Sequence, residues 1–340
     1  MDQMESSGKI LITGAAGFVG AALCRHLSAQ GLPVRAVVRR NGSLLPAWAA
    51  ADVDEIVTVS GQAGIKEWIA LLDGVESIVH LAARAHQNGR GAFSDDDFFR
   101  SNLDMSVALA RAAASTGVRR LIFLSTVKVN GEGSWHADWR PYRAYDQPRP
   151  EGPYAVSKWR AEQELERICG AGNNIDLTVI RAPLVYGPGV KSNFASLLAW
   201  LGHGFPVVVP RPANRRSLIY LDNLIDLIEF SLVREEMVGK IVLASDGEDY
   251  SLAQIIDYLT QGSGRRPHIL TLPSAFIRMG AKMIRCEAVG KKIFGSLRID
   301  VNSLKELGWN APISGEIGFD ETAAWGRKTR RLGKFYDAIP

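Results

Sequence analysis

The sequence is poor in cysteine, and the cysteines it has follow no pattern. Cys24, Cys169 and Cys286 are scattered through 340 residues without metal-ligand spacing, and their odd number forms no disulfide framework. We therefore expect the reducing environment of the cytoplasm. No cysteines and histidines have the spacing of a zinc site, so we predict no bound metal.

Long apolar stretches are also lacking. No run approaches the ~20 residues that a membrane-spanning helix requires, so we predict no transmembrane segment. Residues 1–8 are polar and acidic, which is typical of a flexible tail and not of a signal peptide. A peripheral association with a membrane stays open on the sequence alone.

Neither sign of charge is in large excess. The chain has 40 Lys and Arg against 36 Asp and Glu, a formal net charge of +4. So small a surplus predicts no nucleic-acid partner, yet it suits an anionic small-molecule ligand. Apolar residues make up 46% of the chain, which is enough for a sizeable folded core.

The first half of the chain alternates apolar runs with helical patterns. The predicted strands are 9–14, 33–40, 53–59, 76–83 and 119–126, and the predicted helices between them include 18–31, 65–74 and 98–117. This alternation indicates an α/β fold with a doubly wound parallel sheet. After residue 180, shorter elements lie between loops rich in proline and glycine. We therefore predict one domain at 9–180 and a smaller one mainly at 181–340, from which at least one strand returns to the main sheet.

A glycine-rich turn, TGAAGFVG, joins the first strand to the first helix. Its glycines are three residues apart, and such a turn lets backbone N–H groups and the helix N-terminus approach a pyrophosphate. The alternative is a tight turn without a ligand, because the spacing differs from the G-x-G-x-x-G pattern. We favour the dinucleotide site, with contacts from Gly14, Ala16, Gly17, Phe18, Val19 and Gly20.

Two arginines, Arg39 and Arg40, stand at the end of the second predicted strand. Many NAD-binding folds place an acidic residue there to bind the ribose 2′-hydroxyl, whereas an arginine can pair with the 2′-phosphate of NADP. We therefore favour NADP(H) over NAD(H). The alternative is that one or both side chains point into solvent.

A tyrosine and a lysine, Tyr154 and Lys158, are four residues apart in a predicted helix, and so lie on one face of it. The pattern is common by chance and indicates catalysis only when other motifs require a cofactor. Four motifs together do so: TGAAGFVG (13–20), HLAA (80–83), LST (124–126) and PYAVSK (153–158). From about residue 9 to 310 the chain resembles the extended short-chain dehydrogenase/reductase family, many of whose members modify nucleotide sugars.

The resemblance implies a Rossmann-type sheet, a smaller C-terminal α/β substrate domain and a catalytic set of Thr126, Tyr154 and Lys158. Thr126 is favoured over Ser125 by counting back from a matching glycine, Gly131. In this family the tyrosine exchanges a proton with the substrate oxygen while hydride moves. The lysine lowers the pKa of the phenol and holds the nicotinamide ribose. Further implied cofactor contacts are Leu81, Ala82, Ala83, Asn102 and Pro183.

The same comparison argues against a sugar-nucleotide dehydratase. Such enzymes carry Asp-Glu directly after the catalytic Ser/Thr, where this chain has Val127 and Lys128. Neither residue can act as a carboxylic acid.

Substrate contacts are implied by position. We expect Arg84, Lys128 and Asn130 to face the sugar, and Asn193, Arg216 and Arg298 to bind the diphosphate. The alternatives are solvated arginines and an asparagine that caps a helix.

Further local matches, including STVKVNGE and LVYGPGVKSNF, resemble two subgroups. One comprises the bacterial 4-keto reductases that form UDP-N-acetylquinovosamine for polysaccharide assembly. The other comprises the UDP-glucose 4-epimerases. A non-catalytic nucleotide-binding regulator is a third alternative. The resemblance also implies a homodimer through a four-helix contact of segments near 98–117 and 153–170.

Overall fold

The computed structural model of the protein describes residues 8–40, 42, 44–50, 53–84, 94–136, 139–170, 172, 175–203, 205–261, 267–283 and 287–331. The chain divides into two compact units. The first comprises the described residues up to Val129 together with Pro148–Arg181 and Ile225–Val242, and the second comprises Asn130–Gln147, Ala182–Leu224 and the described residues from Leu243 onward. The chain therefore enters each unit more than once. The prediction from the sequence was one boundary at residue 180, with at least one later strand returning to the main sheet.

The strands are β1 (Lys9–Thr13), β2 (Val34–Arg39), β3 (Glu55–Val59), β4 (Val75–His80), β5 (Arg120–Thr126), β6 (Asp176–Ala182), β7 (Leu184–Tyr186), β8 (Val207–Arg211), β9 (Arg216–Tyr220), β10 (Ile241–Leu243), β11 (Asp249–Tyr250) and β12 (Ile269–Pro273). The helices are α1 (Phe18–Ala29), α2 (Ala47–Ala50), α3 (Ile65–Leu71), α4 (Asp95–Phe99), α5 (Met105–Ala113), α6 (Gly152–Gly170), α7 (Ser192–His203), α8 (Leu221–Val233), α9 (Leu252–Thr260), α10 (Ser274–Met283), α11 (Glu287–Phe294), α12 (Asn302–Glu306) and α13 (Gly315–Arg331).

The main sheet has seven strands in the order β10-β6-β5-β4-β1-β2-β3. The pairs β1–β2, β2–β3, β1–β4 and β4–β5 are parallel. The order reverses direction at β1, so the carboxyl ends of β1 and β4 flank the point where such sheets bind ligands. The predicted doubly wound parallel sheet of the α/β class is thus confirmed.

The core of the main sheet explains why these segments form strands. In β2 every residue but the last is buried, and in β1 every residue but the first, as expected when helices cover both faces of a parallel sheet. Leu11, Ile78, Leu121 and Phe123 of the sheet pack in one buried cluster with the fully buried Trp68 of α3.

The segment predicted as one helix at 98–117 is interrupted. Helix α4 ends at Phe99, a π-helical turn spans Arg100–Asp104, and α5 follows directly. A π turn adds a residue to the helical repeat and is frequent at functional sites. Here it contains Asn102, whose side chain is buried.

The second unit contains two small sheets. One has the order β11-β9-β7, in which β7–β9 is parallel and β9–β11 antiparallel, and the other pairs β8 with β12 in parallel. Within the described ranges, no helix combines the length and the apolar character needed to cross a bilayer.

Candidate active site

The glycine turn after β1 has the geometry of a phosphate-binding loop. Gly14 has φ of +69°, and a Cβ there would lie 2.8 Å from the backbone nitrogen of Ala82. A Cβ on Gly20 would lie 2.2 Å from the carbonyl oxygen of Gly14, so both positions require glycine. Gly17 is the N-cap of α1, and no side chain caps that helix. The first N–H groups of α1 therefore remain available to an anion, and the loop fits a dinucleotide pyrophosphate.

The two arginines after β2 differ in their surroundings, although both are exposed. Arg40 lies with Nη2 3.4 Å from Oε1 of Glu67, and the Glu67 carboxylate also accepts hydrogen bonds from the Ser60 backbone and hydroxyl groups. None of the ion pairs among the described residues involves Arg39. Arg39 is therefore the better candidate for binding a 2′-phosphate.

Behind the loop, a chain of hydrogen bonds links β1, β4 and α5. The Ala82 N–H donates to Oγ1 of Thr13 at 3.2 Å, and Oγ1 lies 2.6 Å from Nδ1 of His80. Nε2 of His80 lies 2.8 Å from Oγ of Ser106, whose hydroxyl donates to the Asn102 carbonyl at 2.6 Å. Because the Ser106 proton is committed to that carbonyl, His80 donates through Nε2–H and accepts from Thr13 at Nδ1.

His80 is fully enclosed. Burial, together with the positive charge of Lys158, lowers the pKa of His80 to about 3. The ring is therefore neutral at physiological pH. Its plane also stacks on Phe123, with the ring centroids 5.6 Å apart.

Asn102 connects this chain to the helix that carries Tyr154. Its Oδ1 accepts from the Arg84 backbone N–H at 2.8 Å, and its Nδ2 donates to the Arg84 carbonyl at 3.1 Å and to Oγ of Ser157 at 2.9 Å. Ser157 in turn donates to the Tyr154 carbonyl at 2.9 Å. The amide is thus saturated with protein partners, and it fixes the position of α6.

Helix α6 presents Tyr154 and Lys158 one turn apart. The Thr126 side chain, at the end of β5, lies close enough to the Tyr154 phenol to affect its pKa. Burial is the larger influence and raises the pKa of Tyr154 to about 12, while Thr126 acts in the opposite direction. The phenol is therefore protonated at neutral pH, which makes it a proton donor.

Lys158 is 1% exposed, and its Nζ lies 3.7 Å from the centroid of the Phe123 ring. Burial lowers the pKa of Lys158 to about 7, while the negative charge of Glu162 raises it. Both protonation states are thus accessible near neutral pH.

A buried ion pair lies one further turn along α6. Arg181 of β6 binds Glu162 with Nη2 2.6 Å from Oε2 and Nε 3.1 Å from Oε1, and both side chains are almost wholly buried. The Ser125 hydroxyl donates to the same carboxylate. Ser125 therefore binds Glu162, whereas Thr126 lies beside Tyr154. Phe123, Glu162 and Arg181 were not predicted as site residues, although Glu162 follows Lys158 at helical spacing.

The other predicted cofactor contacts of the first unit lie after β4. Leu81 and Ala82 are half-buried and Ala83 is exposed, and Ala82 contacts the glycine turn as described. Two predicted sugar contacts also belong to this unit. Arg84 is half-buried, with Nε 3.4 Å from Oγ of Ser101, and Lys128 is half-buried in a 3-10 turn after Thr126.

The remaining predicted residues belong to the second unit. Pro183 lies between β6 and β7. Asn130 is buried, and its Nδ2 donates to the Arg143 carbonyl at 3.1 Å, which gives it a structural partner. Asn193 lies in α7, but its side chain is outside the described part of the structure.

The two phosphate candidates of this unit have different partners. Arg216 is half-buried and donates through Nη1 to the Gly295 carbonyl at 2.9 Å. Burial lowers its pKa to about 10, and Glu132 raises it. Arg298 instead forms an ion pair with Asp249, Nε to Oδ2 at 2.6 Å. Arg216 is therefore the better candidate for binding a phosphate.

Among the described residues, no three His, Cys, Asp or Glu side chains are grouped so as to hold a metal ion.

Comparison with known proteins agrees with the geometry of the site. Residues 10–244 match the NAD dependent epimerase/dehydratase family. UDP-glucose 4-epimerase of Vibrio cholerae is 31% identical over 322 residues, covering 92% of this chain and 94% of that protein. The N-acetyl-alpha-D-glucosaminyl-diphospho-ditrans,octacis-undecaprenol 4-epimerase of Escherichia coli O157:H7 is 24% identical, covering 92% and 93%.

Solved structures share the fold. UDP-glucose 4-epimerase with UDP-glucose from Thermotoga maritima superposes with a TM-score of 0.75 at 21% identity, covering 95% of this chain and 99% of that one. UDP-glucuronic acid 4-epimerase from Bacillus cereus in complex with NAD gives 0.74 at 20% identity, covering 94% and 99%.

Proposed function

Because the chain belongs to the NAD dependent epimerase/dehydratase family, we propose that it catalyses hydride transfer at C4 of a UDP-sugar. The net reaction we propose is reduction of the 4-keto group of a UDP-4-keto-6-deoxy-N-acetylhexosamine. The observation that carries this proposal is the Tyr154 phenol, which lies beside Thr126 and one helical turn from the buried Lys158.

The chemistry of reduction fits the protonation of this site. When bound, a nicotinamide dinucleotide supplies the hydride that C4 receives. Tyr154 donates its phenolic proton to O4, and the Thr126 hydroxyl binds the same oxygen, so the ketone becomes a secondary alcohol. A phenol whose pKa is about 12 is already in the donor form, so reduction requires no prior deprotonation.

Dehydration is the family activity that the site does not support. The position after Thr126 is Val127, which is 3% exposed and apolar, and the next is Lys128. Neither side chain is a carboxylic acid, the group that the dehydratases of this family carry at these positions to eliminate water.

The exposed Arg39 supports NADP(H) as the cofactor. The glycine turn would hold the pyrophosphate, and Arg39 would pair with the 2′-phosphate. A reductase must exchange spent cofactor for fresh reduced cofactor, and the NADP pool of cells is mostly reduced. On the substrate side we propose Arg216 as a ligand of the UDP diphosphate, because a guanidinium matches its oxygens in pairs.

A second candidate is a UDP-hexose 4-epimerase. The similarity to the Vibrio cholerae UDP-glucose 4-epimerase favours it. The same three residues would serve, because Tyr154 would first take the O4 proton and later return it. For either activity we propose a homodimer in which α5 and α6 of two copies form a four-helix contact.

One assay separates these candidates. Purified chain is mixed with NADPH or NADH and enzymatically generated UDP-4-keto-6-deoxy-N-acetylglucosamine, and nicotinamide absorbance is followed. Stoichiometric consumption establishes the reductase. No consumption, together with conversion of UDP-glucose or UDP-N-acetylglucosamine to its C4 epimer, establishes the epimerase.

The control is Tyr154→Phe, which should bind cofactor normally and lose nearly all turnover. Full activity in that variant would remove Tyr154 from its role. Cofactor binding by the unmodified chain without either reaction would contradict both activities and favour a nucleotide-binding regulator.

A further inference from the structure

Helix α10, in the second unit, exposes large apolar side chains to solvent. None of its residues is buried. Phe276 is 61% exposed, Met279 55% and Met283 79%. The strand β12, which ends where α10 begins, also exposes Leu270 and Leu272. Such side chains are normally covered in a soluble protein, so their grouping marks an interaction surface.

The three apolar side chains of α10 lie on one face. At about 100° per residue, positions 276, 279 and 283 fall within about 60° of one another. Ala281 is on the opposite side, and it packs toward α11, because a Cβ built on Gly290 would lie 3.0 Å from the Ala281 Cβ. The row of Phe276, Met279 and Met283 therefore points away from the helix that supports α10.

Positive charge flanks this row. The described residues 267–294 contain four lysines and arginines against one acidic residue, although the whole chain is nearly balanced. Arg278 and Lys282 are exposed and lie beside each other on α10, between the apolar row and the side packed on α11. Lys292 is exposed on α11. The single acidic residue, Glu287, forms an ion pair with Arg278, whose Nε lies 3.6 Å from Oε1. We name Phe276, Met279, Met283, Arg278, Lys282 and Lys292 the α10 surface.

We propose that the α10 surface docks on an anionic membrane. An apolar row with lysine and arginine at its flank is the arrangement by which amphipathic helices lie in the interface of a bilayer. The long lysine side chain reaches the headgroups while the apolar groups enter the acyl boundary. Phe276, Met279 and Met283 are each more than half exposed, so they do not line a deep pocket for a peptide. A lipid layer adapts to a ridge without a matching shape.

The test is flotation of the full purified chain with vesicles of phosphatidylcholine, or of phosphatidylcholine with about one third phosphatidylglycerol. The chain should float with the anionic vesicles, less at high salt, and little with the neutral ones. The triple variant with serine at Phe276, Met279 and Met283 should lose detectable binding. Lys282→Glu should weaken it about tenfold or more, because each cation near such a surface contributes about fivefold.

Matched controls come from the same unit. Ile317 on α13 is 52% exposed and Lys305 on α12 is exposed. Ile317→Ser and Lys305→Glu should bind vesicles as the parent does, and every variant should keep the parent's cofactor affinity and melting temperature. Failure of the parent to bind anionic vesicles would overturn the proposal, as would equal binding by the triple variant. A parent oligomer that dissociates in the triple variant would assign the surface to a second copy of the chain instead.

Discussion

Nζ of Lys158 lies 3.7 Å from the centroid of the Phe123 ring, in a site where the lysine is 1% exposed. The face of an aromatic ring attracts a cation, and Glu162 on the same helix adds a negative charge. Burial still prevails, because the net effect lowers the pKa of Lys158 from 10.5 to about 7. Burial of the lysine therefore lowers the free energy of unfolding, as expected for a residue that is retained for function.

Replacement of this lysine should therefore stabilise the protein. The folded pKa lies below the unfolded one, so the folded state is penalised fully below about pH 7 and less as pH rises to about 10.5. Lys158→Met should raise the free energy of unfolding by on the order of 3–5 kcal/mol at about pH 6. The gain should shrink toward about pH 10. Urea denaturation without added cofactor, at several pH values, measures both effects.

The control is Lys66→Met, at an exposed position of α3. It should change stability by less than about 0.5 kcal/mol at every pH. A loss of stability in Lys158→Met at low pH would show that the ring and Glu162 outweigh the cost of burial.

The stability of the protein should depend on the buried ion pair of Glu162 and Arg181. Glu162→Gln leaves the buried Arg181 guanidinium without a negative charge, so we expect a loss of about 3–5 kcal/mol in unfolding free energy. The double variant Glu162→Leu, Arg181→Met removes both charges and should recover much of that loss. Urea denaturation of the parent and the two variants measures the loss and its recovery.

An exposed pair on the same helix provides the comparison. Nη2 of Arg167 lies 2.7 Å from Oε2 of Glu164, and large parts of both side chains are exposed. Glu164→Gln should therefore lower the free energy of unfolding by less than about 1 kcal/mol. Equal losses of unfolding free energy in Glu162→Gln and Glu164→Gln would contradict the buried character of the pair of Glu162 and Arg181.

The main sheet was predictable because buried parallel strands are largely apolar runs, and the five strands predicted in the first half became β1 to β5. Edge strand β3 is the exception in burial, since only its Val59 is buried. The family resemblance, which rested on four motifs, is confirmed by the match over residues 10–244. The second unit was not predicted element by element, since its strands are as short as two or three residues and carry little periodic signal.

The supporting residues of the site depend on contacts between distant segments. Ser157 is recognisable only after the π turn brings Asn102 to it, across 55 residues of sequence. In the sequence alone, Phe123 is one more apolar residue of a buried strand. Its contact with Lys158, which lies over its ring, is visible only in the folded structure. Local patterns predict helices and strands, whereas these pairings arise from the packing of the whole sheet.

The neutral histidine behind the glycine turn predicts a specific acid sensitivity. The folded pKa of His80 is about 3 against an ordinary value of 6.5, so the unfolded chain binds an extra proton between these values. Stability that depends on neutral His80 is present above about pH 6.5 and is lost as pH falls toward about 3. His80→Leu should lack this loss and should show a shallower decline of unfolding free energy across that range.

At neutral pH the same variant should be less stable by about 1–3 kcal/mol, because the Thr13 hydroxyl loses its buried acceptor. His268→Leu, at an exposed position, is the control and should follow the parent at every pH. Denaturation series from neutral to acid pH measure both changes. Parallel pH curves for the parent and His80→Leu would show that His80 does not titrate differently on folding.

Cofactor choice should depend on one arginine of the pair after β2. Arg39 has no ion pair with a described residue, whereas Arg40 is engaged by Glu67 at 3.4 Å. A hydrogen bond to a charged group contributes about 1.5–3 kcal/mol, so Arg39→Ser should weaken NADPH binding by about 10- to 150-fold. NADH binding should stay unchanged, since NADH lacks the 2′-phosphate.

Arg40→Ser serves as the matched control, because it removes the same charge one residue away. It should weaken NADPH binding by a smaller factor, since its guanidinium is already shared with a carboxylate. Fluorescence titration of both variants with each cofactor gives the four affinities. If Arg39→Ser bound NADPH as tightly as the parent, the 2′-phosphate would not be recognised by Arg39. If the parent bound NADH more tightly than NADPH, the cofactor argument for a reductase would fail, and the epimerase would become the better candidate.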